Sequence, residues 1–204
     1  LEIAARMALQ MVAVCAAAGV IVGVIALTGV GTRFSSLLLE LAGQSQLIAM
    51  VFAMLVAIIL GMGMPSTAIY IVLATVIGPS IIGMGVPPLA AHMFIFYYGL
   101  VSAITPPVAL AAYAAASISG GDANKTAFES VRLGFVKLLV PFLFATMPGL
   151  LMVGTPLDIT LSALFAACGI SGLTLAFGGW FLASMSGVMR LVTALGALLV
   201  LWPS

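Results

Sequence analysis

The sequence predicts an all-α, polytopic membrane protein, and three observations carry that prediction. Of its 204 residues, 64% are hydrophobic and only 5% are charged, where an ordinary soluble domain carries about 25% charged residues. Mean hydropathy is +1.38. Residues 41–121 contain no Asp, Glu, Lys or Arg at all. Six Lys/Arg and five Asp/Glu cannot cover a water-facing surface, which excludes a soluble globular enzyme and a disordered tail. A net charge of +1 gives no basic footprint, so no nucleic acid is expected as a partner. The expected partner along most of the surface is the lipid bilayer. At about 20 residues per helical crossing, the chain has room for at most about seven or eight.

The few polar residues act as punctuation. Residues 7–32 lie between Arg6 and Arg33 without a charge and predict one helix. Its Gly19 and Gly23 form a small-xxx-small pattern that permits close helix packing. Residues 32–46, with Arg33, Glu40 and Gln44, predict a polar connection in which 34–41 lies as a short interfacial helix. These elements make up a first segment, 1–43. Cys15 and Cys168 have no CxxC or Cys/His company, so they read as small hydrophobes facing a helix neighbour.

The charge-free core, 44–121, is divided by turn formers. Residues 45–60 predict a helix, 61–67 (Gly61-Met62-Gly63-Met64-Pro65-Ser66-Thr67) a break, and 68–82 a second helix. A turn at 83–88 leads to a helix over 89–103, a second break at 104–107 (Ile104-Thr105-Pro106-Pro107), and a helix over 108–117. These helices run to only about 10–16 residues, several short of the roughly 20 a span needs. No charge lies near either break, as it would near a surface loop. Both breaks therefore belong at membrane depth, the first as the tip of a re-entrant hairpin over 45–82, the second as an unwound point within 89–117.

Residues 122–137 hold Asp122, Lys125, Glu129, Arg132 and Lys137 and predict an amphipathic cytoplasmic linker. The final segment, 138–204, predicts a span over 138–155 kinked at Pro141 and Pro148, a turn at 155–158, a span over 159–177, an interfacial Gly178-Gly179-Trp180, and a partial span with Arg190. Both chain ends are expected to continue into a longer polypeptide, so this last segment is expected to be truncated. Counting crossings places Arg6, Lys125, Arg132, Lys137 and Arg190 on one side and Arg33 on the other, which the positive-inside rule makes cytoplasmic and periplasmic respectively.

Unwound backbone in hydrocarbon costs several kcal/mol for each unsatisfied polar group, so it persists only where protein buries it or it lines a cavity. Interrupted helices offer free N–H groups to anions and free carbonyls to cations, and they are the best sequence pointer to a transporter binding site. Here Pro65 and Pro106 free carbonyls. Ser66, Thr67, Ser102 and Thr105 add hydroxyl oxygens, and Gly61 and Gly63 allow close backbone approach. With no carboxylate in 41–121, any cation held here is bound by neutral oxygens, which points to Na⁺ rather than a proton as the coupling ion. No other cofactor is expected. His92, the single histidine, reads as a packed or water-facing side chain. Tyr97 and Tyr98 read as packing or a cavity wall. There is no HExxH or GxSxG pattern and no intramembrane acid in this stretch, so an enzyme is not expected.

Gly61-Met-Gly-Met-Pro-Ser-Thr-Ala68, followed by Ile104-Thr-Pro-Pro-Val-Ala-Leu-Ala-Ala-Tyr-Ala114, resembles the large membrane subunit of tripartite ATP-independent periplasmic (TRAP) transporters. The Met-Pro-Ser-Thr form looks most like the TAXI branch, in which small and large membrane subunits are fused. The resemblance implies the second inverted repeat of an elevator-type transporter. It places ion-binding groups at Gly61, Gly63, Pro65, Ser66 and Thr67 in the hairpin tip and at Ala103, Thr105 and Pro106 in the break. Ser66, Thr67, Ser102, Thr105 and Pro107 are the candidate substrate contacts. It also implies a periplasmic substrate-binding protein and a small membrane subunit, or its fused equivalent, as partners. The substrate would be an organic acid anion and the location the bacterial inner membrane, crossed several times. A stand-alone divalent-anion/Na⁺ symporter of related architecture, or a proton-coupled variant, is the alternative.

Overall fold

The computed structural model describes residues 2–42, 45–181 and 183–201. Gly43, Gln44, Leu182 and the end 202–204, which the sequence reading assigned to a connection and to the last span, lie outside the described residues. The described chain is helical apart from one short ribbon, and it divides into two compact units within the second break. One unit comprises 1–103 with 107–110, and the other 104–106 with 111–204.

In the first unit α1 (Glu2–Thr28) turns into α2 (Val30–Ala42) at Gly29, whose φ of +67° favours glycine. The first helix therefore ends earlier than the sequence reading had it, and most of the expected polar connection is helix. Among the described residues nothing lies within 4 Å of a Cβ placed at Gly19 or Gly23, and Cys15 is exposed rather than facing a neighbour.

Next come α3 (Gln46–Gly61), α4 (Ser66–Val76), α5 (Gly78–Gly83) and α6 (Pro88–Val101). The expected single helix over 68–82 is split at Ile77. Pro79 cannot donate a backbone hydrogen bond and crowds the preceding turn, which ends α4 and starts α5. On α3 the residues at four-residue spacing, Ala49, Ala53 and Ala57, are fully buried, while Leu47 and Ile59 are about 60% exposed. Small residues inward and large apolar ones outward is the pattern of helices packed in lipid, where close backbone approach replaces hydrophobic drive. The centre of this unit is filled by Leu73 of α4, Ile81 of α5, and Phe94, Ile95 and Tyr98 of α6.

The second unit contains α7 (Leu110–Ser119), α8 (Ala123–Gly134), α9 (Val136–Thr146), α10 (Pro156–Gly178) and α11 (Gly187–Leu201). Asp122 caps α8, its Oδ1 accepting the Lys125 N–H at 2.8 Å. Pro141 is accommodated inside α9, but Pro148 is not a kink. It removes a donor and holds Met147 out of the helical region, at φ −126° and ψ 79°. The expected span over 138–155 therefore stops at Thr146 and gives way to a 3-10 turn, Pro148–Leu151.

At Thr155 a capping box opens α10. The Thr155 hydroxyl accepts the Asp158 N–H, and the Asp158 carboxylate accepts the Thr155 N–H at 3.0 Å. Among the described residues α10 is the one helix both long and apolar enough to cross a bilayer alone. Beyond it, β1 (Trp180–Phe181) pairs antiparallel with β2 (Ala183–Ser184), a small departure from an all-helical chain. The chain then returns as α11 along α10. Gly169 lies against Leu201, and a Cβ at Gly172 would sit 2.9 Å from the Ala197 Cβ. Leu143, Ala166, Leu173, Ala197 and Leu201 form the core of this unit. Cys168 is exposed.

Candidate functional site

The first break is a hairpin tip of four residues, Met62 to Pro65, between α3 and α4. Gly63 takes φ +79° there, a conformation open to glycine and costly to other residues. The tip brings a carbonyl-bearing helix end within four residues of an N–H-bearing one. Gly61 closes α3, and Ser66 opens α4 behind Pro65, which has no side chain able to cap the helix. Ser66 and Thr67 are both exposed on that first turn. Partial charges of both signs thus stand side by side without any ionised group.

The second break begins where α6 tightens into a 3-10 turn over Ser102–Ile104, and α7 resumes only at Leu110, later than the sequence reading placed it. Thr105 to Val108 form bends and turns, and buried Ala109 takes φ +30°. Ala103, Thr105 and Pro106 are partly buried and Pro107 is exposed. The boundary between the two units passes through these residues, with Thr105 and Pro106 in the second unit and Ala103 and Pro107 in the first.

Within the first unit, the end of α3 and the end of α6 are joined. The Ser102 hydroxyl is 2.9 Å from the Gly61 carbonyl oxygen and 2.6 Å from that of Gly99, so its one proton is shared between them. Ser102 is only 2% exposed. A Cβ on Gly61 would meet Ser102 Oγ at 2.9 Å, and one on Gly99 would meet Ile69 Cγ2 of α4 at 2.6 Å. Glycine at both positions lets α6 approach both hairpin arms. A Cβ at Gly63 would lie 4.0 Å from Val108, so the tip itself has room.

Two features escaped the sequence reading. Gly99 carries no motif, and its only signal is a glycine in the middle of an aromatic helix. The other is the partner of His92. Its Nδ1 shares a 3.0 Å hydrogen bond with the Tyr70 hydroxyl of α4, and Phe96 packs edge-on to Tyr70. Tyr98 is fully buried against Phe94, with ring centroids 4.7 Å apart.

Each interrupted helix end thus presents carbonyl and hydroxyl oxygens, the donor type that suits a cation, or N–H groups, the type that faces an anion, without an ionised side chain. No group of metal-ligating side chains occurs among the described residues. No curated protein and no solved structure gives a significant match to the chain. The sequence model of one family, described as the tripartite ATP-independent periplasmic transporter, DctM component, matches residues 1–159, more than three-quarters of the chain. The two breaks and the charge-free core fall inside that match, and the chain belongs to this family of transporter membrane components, which are permeases and not enzymes.

Proposed function

We propose that the chain is the second inverted repeat of an elevator-type permease that imports organic acid anions, carboxylates above all, with a Na⁺ gradient. The observation that carries this reading is the Gly61–Ser102 closure, which ties a hairpin tip to an interrupted helix in a stretch without a single charge. A permease that accumulates its substrate without ATP can draw on an ion gradient instead. Na⁺ is matched by carbonyl and hydroxyl oxygens, whereas a coupling proton would need a titrating side chain. Gly61, Gly63, Pro65, Ser66 and Thr67 form an ion site at the tip, and Ala103, Thr105 and Pro106 form one at the break. Ser66, Thr67, Thr105 and Pro107 contact the substrate, and buried Ser102 acts through Gly61.

The uncapped start of α4 is suited to a carboxylate, and the bound Na⁺ offsets its charge. A periplasmic substrate-binding protein delivers the anion. A small membrane subunit, separate or fused as in the TAXI branch, completes the tripartite assembly in the bacterial inner membrane, which the chain crosses several times.

The test is uptake by the complete transporter in proteoliposomes, with Na⁺ and proton gradients imposed separately. Uptake should follow Na⁺. Ser66→Ala, Thr67→Ala and Thr105→Ala should each raise the Na⁺ concentration for half-maximal rate. Uptake that runs on a proton gradient without Na⁺, and fails on loss of His92, would overturn the coupling.

A further inference from the structure

Two arginines from distant parts of the sequence meet at the C-terminal end of α10. Arg190, in the first turn of α11, donates Nε–H to the Ala176 carbonyl at 2.7 Å and Nη2–H to the Phe177 carbonyl at 3.0 Å. Arg132, in the last turn of α8, lines a cleft of about 70 Å³ together with Phe135, Val136, Phe177 and Gly178. One side of the cleft is the ring pair Phe135–Phe177, with centroids 4.2 Å apart and planes inclined by 35°.

We propose that this cleft binds one anionic phospholipid, its phosphate at the Arg132 guanidinium and the start of an acyl chain along the Phe135–Phe177 wall. Four features combine in favour of that occupant. The end of a helix normally presents partial negative charge, which repels a phosphate. Here Arg190 takes up two of the terminal carbonyls and leaves its own positive charge in their place. Arg132 is paired with Glu129 through Nε and Nη2, and its side chain is 53% exposed. A guanidinium has five N–H donors, so Nη1 remains for a second oxyanion.

The surroundings are those of a membrane–water boundary. Phe128 and Leu133 of α8 are each 69% exposed, and Trp180 is 64% exposed just beyond Gly179. Exposed aromatic and long apolar side chains beside basic ones mark the headgroup level. Basic pockets between helices at that level suit anionic headgroups. The apolar walls separate a lipid from a soluble anion, because inorganic phosphate gains nothing from Phe135, Val136 or Phe177. The proposal requires only that the chain be membrane-embedded. It is independent of the transported substrate and of the coupling ion.

Trp180 follows Gly178, which lines the cleft, by two residues and serves as its reporter. In the chain carrying Trp202→Phe, reconstituted in phosphatidylcholine, Trp180 fluorescence is titrated with brominated phosphatidylglycerol or brominated phosphatidylcholine. Half-maximal quenching should need a several-fold lower mole fraction of the anionic lipid. Arg132→Gln should bring the two curves together, and Lys125→Gln, outside the cleft, should leave them apart. Val136→Phe, which fills the cleft with every charge retained, should also merge them, and it decides alone if Arg132→Gln fails to fold.

Equal quenching by both lipids in the parent chain overturns the proposal. So does a preference that survives Val136→Phe, or one lost equally in Lys125→Gln, which is diffuse surface charge. Loss of the preference on adding inorganic phosphate at constant ionic strength assigns the site to a soluble anion and also overturns it.

Discussion

The Ser102 hydroxyl and the Gly61 carbonyl, 41 residues apart in sequence, lie 2.9 Å apart. A short contact between a helix terminus and a buried hydroxyl makes both residues sensitive to single atoms. Gly61→Ala places a methyl group 2.9 Å from Ser102 Oγ and 3.1 Å from its Cβ. Overpacking of this kind costs about 1–3 kcal/mol. Ser102→Ala removes the shared hydrogen bond and costs about 1 kcal/mol. Ser102→Gly makes room for the Gly61 methyl, so the double variant Gly61→Ala/Ser102→Gly should recover part of the loss. Thermal unfolding in detergent would measure all four variants, and strict additivity of Gly61→Ala and Ser102→Gly in the double would refute the contact.

Gly99→Ala tests the contact of α6 with α4 rather than with α3. Its methyl would meet Ile69 Cγ2 at 2.6 Å, so α6 and α4 must separate, again at about 1–3 kcal/mol. Ile69→Ala removes the obstructing carbon, and in that background Gly99→Ala should cost less. Sodium affinity in transport assays should weaken together with stability if the hairpin arm moves.

His92→Gln should leave Na⁺-driven uptake and its pH profile largely intact. The imidazole is occupied by the Tyr70 hydroxyl at 3.0 Å, and a glutamine amide can take over that bond. A collapse of uptake confined to this variant would point to proton coupling through the only histidine.

Arg132 and Arg190 both reach Phe177 at the C-terminal end of α10, and Asp158 lies at its N-terminal end. A helix of 23 residues is about 35 Å long, enough to separate the two ends across a bilayer. Single cysteines at positions 132 and 190 should therefore label from the cytoplasm and one at 158 from the periplasm, in a background lacking Cys15 and Cys168. Labelling of 132 and 190 from opposite sides would contradict the fold of this unit.

Both interruptions of the core were legible because glycine and proline announce them chemically. Pro65 and Pro106 each remove a backbone donor and stand among further turn formers, Gly61 and Gly63 for one and Pro107 for the other. Gly78-Pro79 carries the same signal inside an apolar run, where hydrophobicity favours one continuous helix and the missing N–H instead splits it at Ile77. Pro148, which its apolar surroundings make a candidate kink, stops α9 instead. Two prolines near mid-helix, 141 and 148, have opposite outcomes, and no local rule separates them. The pairing of Ser102 with Gly61 and of Tyr70 with His92 could not be read at all. Each depends on which faces of separate helices dock, and an almost uniformly apolar sequence has no polar face to fix that choice.

The capping box at Thr155–Asp158 and the Arg190 bonds at the far end also bear on biogenesis. With its termini closed by nearby residues and its length sufficient to span, α10 can partition into the bilayer as an autonomous segment. Helices α3 and α4, at 16 and 11 residues, reach only about 24 and 16 Å against a hydrocarbon core of about 30 Å. Neither can be released laterally from a translocation channel alone without stranding unpaired backbone in lipid. Insertion of the hairpin is then expected to lag its synthesis: once out of the ribosome it waits, sheltered, until α6 is available to close over it.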